Sequence, residues 1–274
     1  MLLYKTQAGW RVSADGGVKT LDVPAQPALT AREDLHSYLS SVLELGEPAA
    51  EAEHESLAPI DQQEVWAAGV TYFRSREARV AESKDAGGGD FYTRVYDAAR
   101  PELFFKATWN RVVGPGEAVH IRSDSTWNVP EPELALLVSP RGSILGYTIG
   151  NDMSSRSIEG ENPLYLPQAK VYDRCCALGP GILVSPDPLP PETRILIEIR
   201  RSASTAYEGV TTLAAMKRQP AELVEYLMRE NIFPNGCILL TGTGIVPPDS
   251  FTLHIGDQID IQIDGIGTLK NMVD

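Results

Sequence analysis

Cysteine is scarce in this chain: three in 274 residues, at Cys175, Cys176 and Cys237, with no Cys-x-x-Cys pair. So sparse and odd a set excludes a disulfide framework and a cysteine-rich zinc site. Basic residues are also few, 24 Lys and Arg against 37 Asp and Glu, for a formal charge of −13. With no basic stripe to reverse that field locally, a nucleic-acid partner is excluded, because phosphate backbones require one. An anionic small molecule is still allowed, since a bound cation can make one pocket positive. No apolar run reaches membrane-spanning length, and the opening MLLYKTQAGWRV lacks a basic segment followed by a long apolar stretch. The expectation is a cytoplasmic protein that does not meet a membrane. Missing too are the dinucleotide fingerprint, the P-loop, His-Glu-x-x-His and the Gly-x-Ser-x-Gly elbow, which leaves those enzyme classes without support.

What is present is 43% hydrophobic residues with 23 Gly and 20 Pro, a composition that suits a β-rich protein with many turns. Short apolar or alternating runs read as strands: EVWAAG, ELFFKAT, ELALLV, SILGYTIG, GILV, RILIEIR, CILLTG and DQIDIQID. In the last of these Ile259, Ile261 and Ile263 fall on one side. Helices are predicted in TAREDLHSYLSSVLEL, where Thr30 and Glu33 have capping-box spacing and Leu35, Tyr38, Leu39, Val42 and Leu45 make a stripe, and in PAELVEYLMREN. No long crossover helix follows each strand, so a doubly wound parallel sheet is excluded. The fold class is α+β, predominantly β. Residues 1–60, with a turn expected at Asp15-Gly16-Gly17, form a small N-terminal domain, and 61–274 form the main body. The charged stretch 74–86, with Arg74 and Arg76, runs into Gly87-Gly88-Gly89 and reads as a surface loop or a flap.

The stretch VPEPELALLV raises the question of chemistry, because Glu131 and Glu133 project the same way from a strand that otherwise belongs in a core. Two adjacent anions repel, and a divalent cation with oxygen ligands resolves the conflict. An edge strand with one wet face would explain a bare Glu-x-Glu as well. The next strand ends at Asn151-Asp152, where a third carboxylate can meet the pair across a hairpin built on Ser139-Pro-Arg-Gly142. Farther on, LPQAKVYDRCCALGP brings Lys170, either a surface cation or a proton carrier beside that centre.

The ordered set Glu131-x-Glu133, Asp152, Gln168-Ala-Lys170-x-x-Asp173, Gly179-Pro180, Thr241-Gly-Thr243 and Gly267-Thr-Leu resembles the fumarylacetoacetate hydrolase superfamily over residues 60–274. That resemblance implies a mixed β-roll, usually a homodimer, with Glu131, Glu133 and Asp152 holding Mg²⁺ or Mn²⁺ and the Thr-Gly-Thr loop beside a small 2-keto acid. The hydrolytic members carry a histidine after a Gly-x-Asn-Tyr segment. Here the matching stretch is Gly69-Val-Thr-Tyr72, with Thr71 in place of Asn and Ser75 where the His would stand. The four histidines, His36, His54, His120 and His254, lie in no motif that replaces it.

Two stretches, VYDAARPELFFKATWNRVVGPGEAVHIRSDSTWNVPEPEL and SRSIEGENPLYLPQAKVYDRCCALGP, narrow the resemblance to the branch that removes water from 2-keto-3-deoxy-pentonates. It implies a Mg²⁺-dependent hydro-lyase acting on an arabinonate-type acid. Glu102 and Lys170 are the implied acid/base pair. Glu102 shares a strand face with Lys106, and Lys106, Thr71 and Thr243 are the candidate substrate contacts. Asp173 is expected to orient Lys170 or a turn, and Cys175-Cys176 to pack. Hydrolysis, decarboxylation or isomerisation of diketo acids on the same fold stays open, as does a non-catalytic keto-acid binder.

Overall fold

A computed structural model describes residues 1–14, 20–23, 28–45, 56–73 and 94–274. The expected turn at residues 15–17, Ser75, the two arginines of the charged stretch and the triple glycine lie outside the described residues. Two hairpin strands, β1 (Leu2–Thr6) and β2 (Gly9–Ser13), are followed by β3 (Thr20–Asp22) and helix α1 (Leu35–Leu45). Helix α1 starts later than the capping-box spacing predicts. Thr30 sits in a preceding 3₁₀ turn, fully buried, where its hydroxyl accepts from Gln63 Nε2 at 2.5 Å. The stripe holds for Leu35 and Leu39, which are buried, whereas Leu45 at the helix end is exposed.

The main sheet adds β4 (Glu64–Gly69), β5 (Glu102–Thr108), β6 (Val112–Val113), β9 (Pro132–Val138), β10 (Ile144–Asp152), β12 (Cys176–Val184) and β15 (Cys237–Leu240). Its order is β3-β2-β1-β12-β10-β9-β15-β4-β5, with β6 also on β12. The N-terminal strands thus continue the sheet of the main body through the β1–β12 pairing. A second sheet, ordered β14-β13-β16-β17-β7, uses β7 (Ala118–Val119), β13 (Arg194–Arg201), β14 (Ser204–Thr212), β16 (Gln258–Ile263) and β17 (Gly267–Val273). Strands β13, β16 and β17 pack on β9, β10 and β12, so one core joins the sheets. Ile259, Ile261 and Ile263 all face it, as the alternation of DQIDIQID requires. A short pair, β8 (Asn128–Val129) with β11 (Ser154–Ser155), leads into α2 (Arg156–Glu161) and α3 (Leu166–Lys170). Helix α4 (Pro220–Met228) buries Leu223, Val224 and Leu227.

Strand β9 is not an edge. It is flanked by β10 and β15 and buried at every residue, which removes the wet-face explanation for its glutamates. Strands β4 and β15 run parallel, the one such pairing among the long strands described, so both end on the same side of the sheet, next to Glu133.

Candidate active site

The β9–β10 hairpin turns at Ser139–Gly142, where Gly142 N–H donates to Ser139 O at 3.0 Å, and its register pairs Glu133 with Gly150. Asp152, two residues on, therefore shares Glu133's face, and its N–H donates to Glu131 O at 3.0 Å. The hairpin alone brings three carboxylates together. Oxygens of Glu131, Glu133 and Asp152 lie within 4.8 Å of one another, and all three side chains are buried.

Each carboxylate has its own clamp. Lys170, the last residue of α3, is fully buried and donates to Glu131 Oε2 (2.8 Å), Asp152 Oδ2 (3.0 Å) and Ser154 Oγ (2.6 Å). Arg156, the first residue of α2, donates from Nη2 to Glu131 Oε1 at 2.6 Å. Its Nε lies 3.7 Å from Glu159 Oε2 one helical turn on, and both side chains are buried. Lys106 reaches in from β5, at the irregularity where it falls between the Ala107–Val65 and Phe105–Trp66 pairs: Nζ stands 2.5 Å from Asp152 Oδ1 and donates to Met153 O (2.8 Å) and Lys170 O (2.6 Å). Burial opposes the Lys106 charge, but the Asp152 carboxylate outweighs it and holds the ammonium above the ordinary lysine value. Glu133 receives the Gly242 N–H at 2.5 Å. Burial first, then the repulsion of Asp152 and Glu131, push its carboxyl well above the usual range, against the pull of Lys170 and Gly242 N–H. Crowded, dry, hard oxygen donors of this kind fit a divalent cation such as Mg²⁺ or Mn²⁺, which removes the mutual repulsion.

The remaining wall comes from the ends of the parallel strands. Thr71 Oγ1 donates to Thr241 O at 2.6 Å, and Thr241 N–H and Oγ1 both donate to Leu134 O, at 3.0 and 2.8 Å. Gly242, at φ 91°, lies against Thr71 Oγ1 so closely that no Cβ would fit. Thr243 shares its hydroxyl with Ile245 N and O and lines the cavity. That cavity, about 10 Å³, is bounded by Gly69, Val70, Phe104, Glu131, Asp152, Arg156, Lys170, Gly242 and Thr243. It holds the space of one water or ion. A larger concavity of about 790 Å³ lies on the second sheet, shares none of these residues and includes Glu198, Glu208, Asp260 and Lys270 in its lining.

Of the sequence candidates, Glu131, Glu133, Asp152 and Lys170 meet directly. Glu102 pairs with Gly69 across β4–β5, and its carboxylate lies against Gly69, which lines the cavity. Lys106, a candidate substrate contact, stands 2.5 Å from Asp152 Oδ1 and donates to Met153 O and Lys170 O, at the edge of the carboxylate centre. Thr71 uses its hydroxyl proton to pin the Thr-Gly-Thr loop. Asp173 is largely exposed, lies in a turn and pairs with its neighbour Arg174 at 3.2 Å, the turn role of the two expected for it. Cys175 and Cys176 are free, buried and packed, as expected. Sequence reasoning missed Arg156, Ser154 and Phe104. The period-two pattern Glu102-Phe104-Lys106 did contain Phe104, whose ring lies 5.7 Å from Lys170 Nζ. Nothing in Ser-Ser-Arg-Ser signals that a helix start turns Arg156 back onto Glu131.

Comparison with known proteins places the site in a family. The family model described as fumarylacetoacetate (FAA) hydrolase C-terminal matches residues 65–274. A probable 2-keto-3-deoxyxylonate dehydratase of Haloferax volcanii is 47% identical over 264 residues, covering 95% of this chain and 90% of that protein. A 2-dehydro-3-deoxy-D-arabinonate dehydratase of Saccharolobus solfataricus is 49% identical over 214 residues, 77% of this chain and 72% of that one. The solved structure of a 2-keto-3-deoxy-D-arabinonate dehydratase complexed with magnesium and 2,5-dioxopentanoate superposes with a TM-score of 0.84 at 37% identity, covering 100% of this chain and 98% of that one. The match to the family model runs through every carboxylate and lysine of the site, and the chain belongs to the fumarylacetoacetate hydrolase family.

Proposed function

We propose that this protein is a Mg²⁺-dependent hydro-lyase that converts a 2-keto-3-deoxy-pentonate of the D-arabinonate type to 2,5-dioxopentanoate and water. The observation that carries the reading is the buried convergence of Glu131, Glu133 and Asp152 with Lys170 in a chain whose relatives are dehydratases. Glu131, Glu133 and Asp152 would hold the ion, which when bound supplies Lewis-acid polarisation of the 2-keto group. The protein's own groups move the protons. A C3–H bond breaks and its proton passes to a base; the C4–O bond breaks and the hydroxyl leaves as water with a proton from an acid. The resulting C3=C4 enone loses a C5 proton and regains one at C3, giving an enol whose tautomer is the C5 aldehyde.

Glu102 and Lys170 are the acid/base pair in this reading. Lys170 Nζ is held by Glu131, Asp152 and Ser154, which fixes its place beside the carboxylates. Glu102 is half-buried, with its carboxylate against Gly69, one of the residues that line the cavity. Thr243, Thr71 and Lys106 are the proposed substrate contacts, and Lys106 and Thr71 also hold Asp152, Lys170 and the Thr-Gly-Thr loop in place. We also propose that residues 1–60 form a small domain appended through β1, and that the protein is a cytoplasmic homodimer or higher homo-oligomer. Three buried free thiols suit a reducing compartment. Among the described residues no helix is long and apolar enough to cross a membrane.

A mass-resolved assay of the Mg²⁺-loaded protein with 2-keto-3-deoxy-D-arabinonate tests the reading. A product lighter by one water, lost on chelation, is expected; the C4 epimer tested in parallel sets the stereochemical preference. No reaction on either epimer with Mg²⁺ demonstrably bound would move the assignment to a diketo-acid hydrolase, decarboxylase or isomerase.

A further inference from the structure

Six ionisable side chains, each 5% exposed or less, form a chain of alternating charge: Glu159, Arg156, Glu131, Lys170, Asp152, Lys106. The lysines at its inner end belong to the reaction centre. The outer pair, Arg156 and Glu159, has no place in the chemistry proposed above, yet a buried guanidinium and a buried carboxylate are costly to keep there. From this geometry we infer that Arg156, steadied by Glu159, is a positioning residue that sets the rotamer of Glu131 for the divalent cation. The inference rests on the metal reading of Glu131, Glu133 and Asp152.

Glu131 lies just before β9, with its carbonyl accepting the Asp152 N–H at 3.0 Å, and its side chain has no backbone donor of the kind Gly242 offers Glu133 among the hydrogen bonds described. Its carboxylate is instead gripped at both oxygens, Oε1 by Arg156 at 2.6 Å and Oε2 by Lys170 at 2.8 Å. Glu133 needs no such clamp, because strand pairing and the Gly242 N–H fix it. Arg156 suits the task because a planar guanidinium is pre-organised, and because α2 presents Arg156 and Glu159 on one face, three residues apart. An ammonium at position 156 offers no rigid fork with which to face Glu131 and Glu159 together. Ligand carboxylates held by outer partners typically lose about 10–100-fold in metal affinity when the partner is removed.

Charge and position make opposite forecasts, which is what allows a test. If Arg156 mattered only as a positive charge near the ion, Arg156→Gln would tighten Mg²⁺ binding. Glu159→Gln would weaken it, and the double variant, whose net charge is that of the wild type, would bind as the wild type does. If Arg156 positions Glu131, Arg156→Gln weakens binding about tenfold or more and the double variant is equally weak.

The experiment is calorimetric titration of the whole, chelator-stripped protein with Mg²⁺ for wild type, Arg156→Gln, Arg156→Lys, Glu159→Gln and the double variant, with circular dichroism to establish folding. The proposal expects weaker binding in Arg156→Gln and in the double variant, a smaller loss in Arg156→Lys, and recovery of turnover at saturating Mg²⁺. Tighter binding in Arg156→Gln, or wild-type affinity in the double variant, overturns it. Should Arg156→Gln not fold, Arg156→Lys decides: wild-type affinity overturns the proposal and a several-fold loss supports it. Wild-type protein that binds no Mg²⁺, or Glu133→Gln protein that binds it normally, would defeat the metal reading itself and is told apart from failure of the clamp.

Discussion

Replacing Lys106 with methionine isolates what the innermost cation does for the fold. The two side chains have similar volume, so packing changes little, while three interactions vanish: Asp152 Oδ1 at 2.5 Å, Met153 O at 2.8 Å and Lys170 O at 2.6 Å. Removing one partner of a buried ion pair costs about 3–5 kcal/mol, because the remaining charge stays in a dry site. Lys170 still reaches Asp152 at 3.0 Å, which favours the lower end of that range. Two carbonyls left without their donor add about 1 kcal/mol each at the least, unless water enters. The expected loss is about 5 kcal/mol, as large as the whole stability of a marginal domain. With a urea slope of about 3 kcal/mol per molar, the unfolding midpoint falls by roughly 1.7 M. Urea titration of the chelated protein, followed by tryptophan fluorescence and circular dichroism together, reads it. Adding Asp152→Asn to Lys106→Met removes the stranded charge and should recover about 1–2 kcal/mol. If Lys106→Met unfolds within 0.3 M urea of the wild type, the reasoning that this ammonium is what makes Asp152 tolerable is wrong.

Other consequences are as direct. Gly69→Ala places a methyl where the Glu102 carboxylate lies; the flexible side chain moves aside, so the melting temperature changes little while kcat falls about 10–100-fold, and a large drop in stability with unchanged kcat would contradict the placement of Glu102 at the site. Glu133 has a carboxyl raised above its unfolded value by burial and by Asp152 and Glu131. The folded state therefore keeps a proton that the unfolded chain has lost, and stability without metal declines as pH rises from about 4.5 through the raised value. Thermal melts in chelator should show that slope in the wild type and a flatter one in Glu133→Gln; equal slopes would refute the assignment. The three thiols are buried, and burial pushes Cys237 up to about 12, so a disulfide-exchange reagent at pH 8 should label none in the native protein and three after denaturation.

Much of the fold was legible because it is written in short-range patterns. Ile259, Ile261 and Ile263 alternate with polar residues, and they face the core. The Glu131–Glu133 spacing and the Ser139–Gly142 turn set the hairpin register, which carries Asp152 to the other two carboxylates without any tertiary information. What stayed hidden depends on partners far along the chain. Thr30 has good capping-box spacing, yet Gln63, 33 residues away, takes its hydroxyl and delays the helix. Lys106 reads as a substrate contact, and only the folded chain shows that it stands against Asp152, 46 positions on. Continuation of the main sheet into β1–β3 is likewise a matter of edge pairing with β12, to which no residue in MLLYKTQAGWRV points. The site residues with a family motif were recognisable by resemblance, whereas Arg156 and Ser154 act through contacts that only the folded geometry creates.

The parallel pairing of β4 with β15 has a consequence for how the protein folds. The bond from Thr71 to Thr241 joins residues 170 apart in sequence, and no hairpin can nucleate it, because a parallel pair gains nothing until the whole intervening chain has been brought round. The β9–β10 hairpin, by contrast, can form early from neighbours. Its three carboxylates would then gather before the Thr-Gly-Thr loop arrives, as a cluster of like charge searching for its counter-ions. Lys106, Lys170 and the loop's Gly242 N–H come from three other parts of the chain. Completion of the centre is thus tied to long-range closure: Gly242 comes to Glu133, 109 residues away, only when β15 pairs with β9, and Thr71 reaches the loop only when β4 joins β15 in parallel.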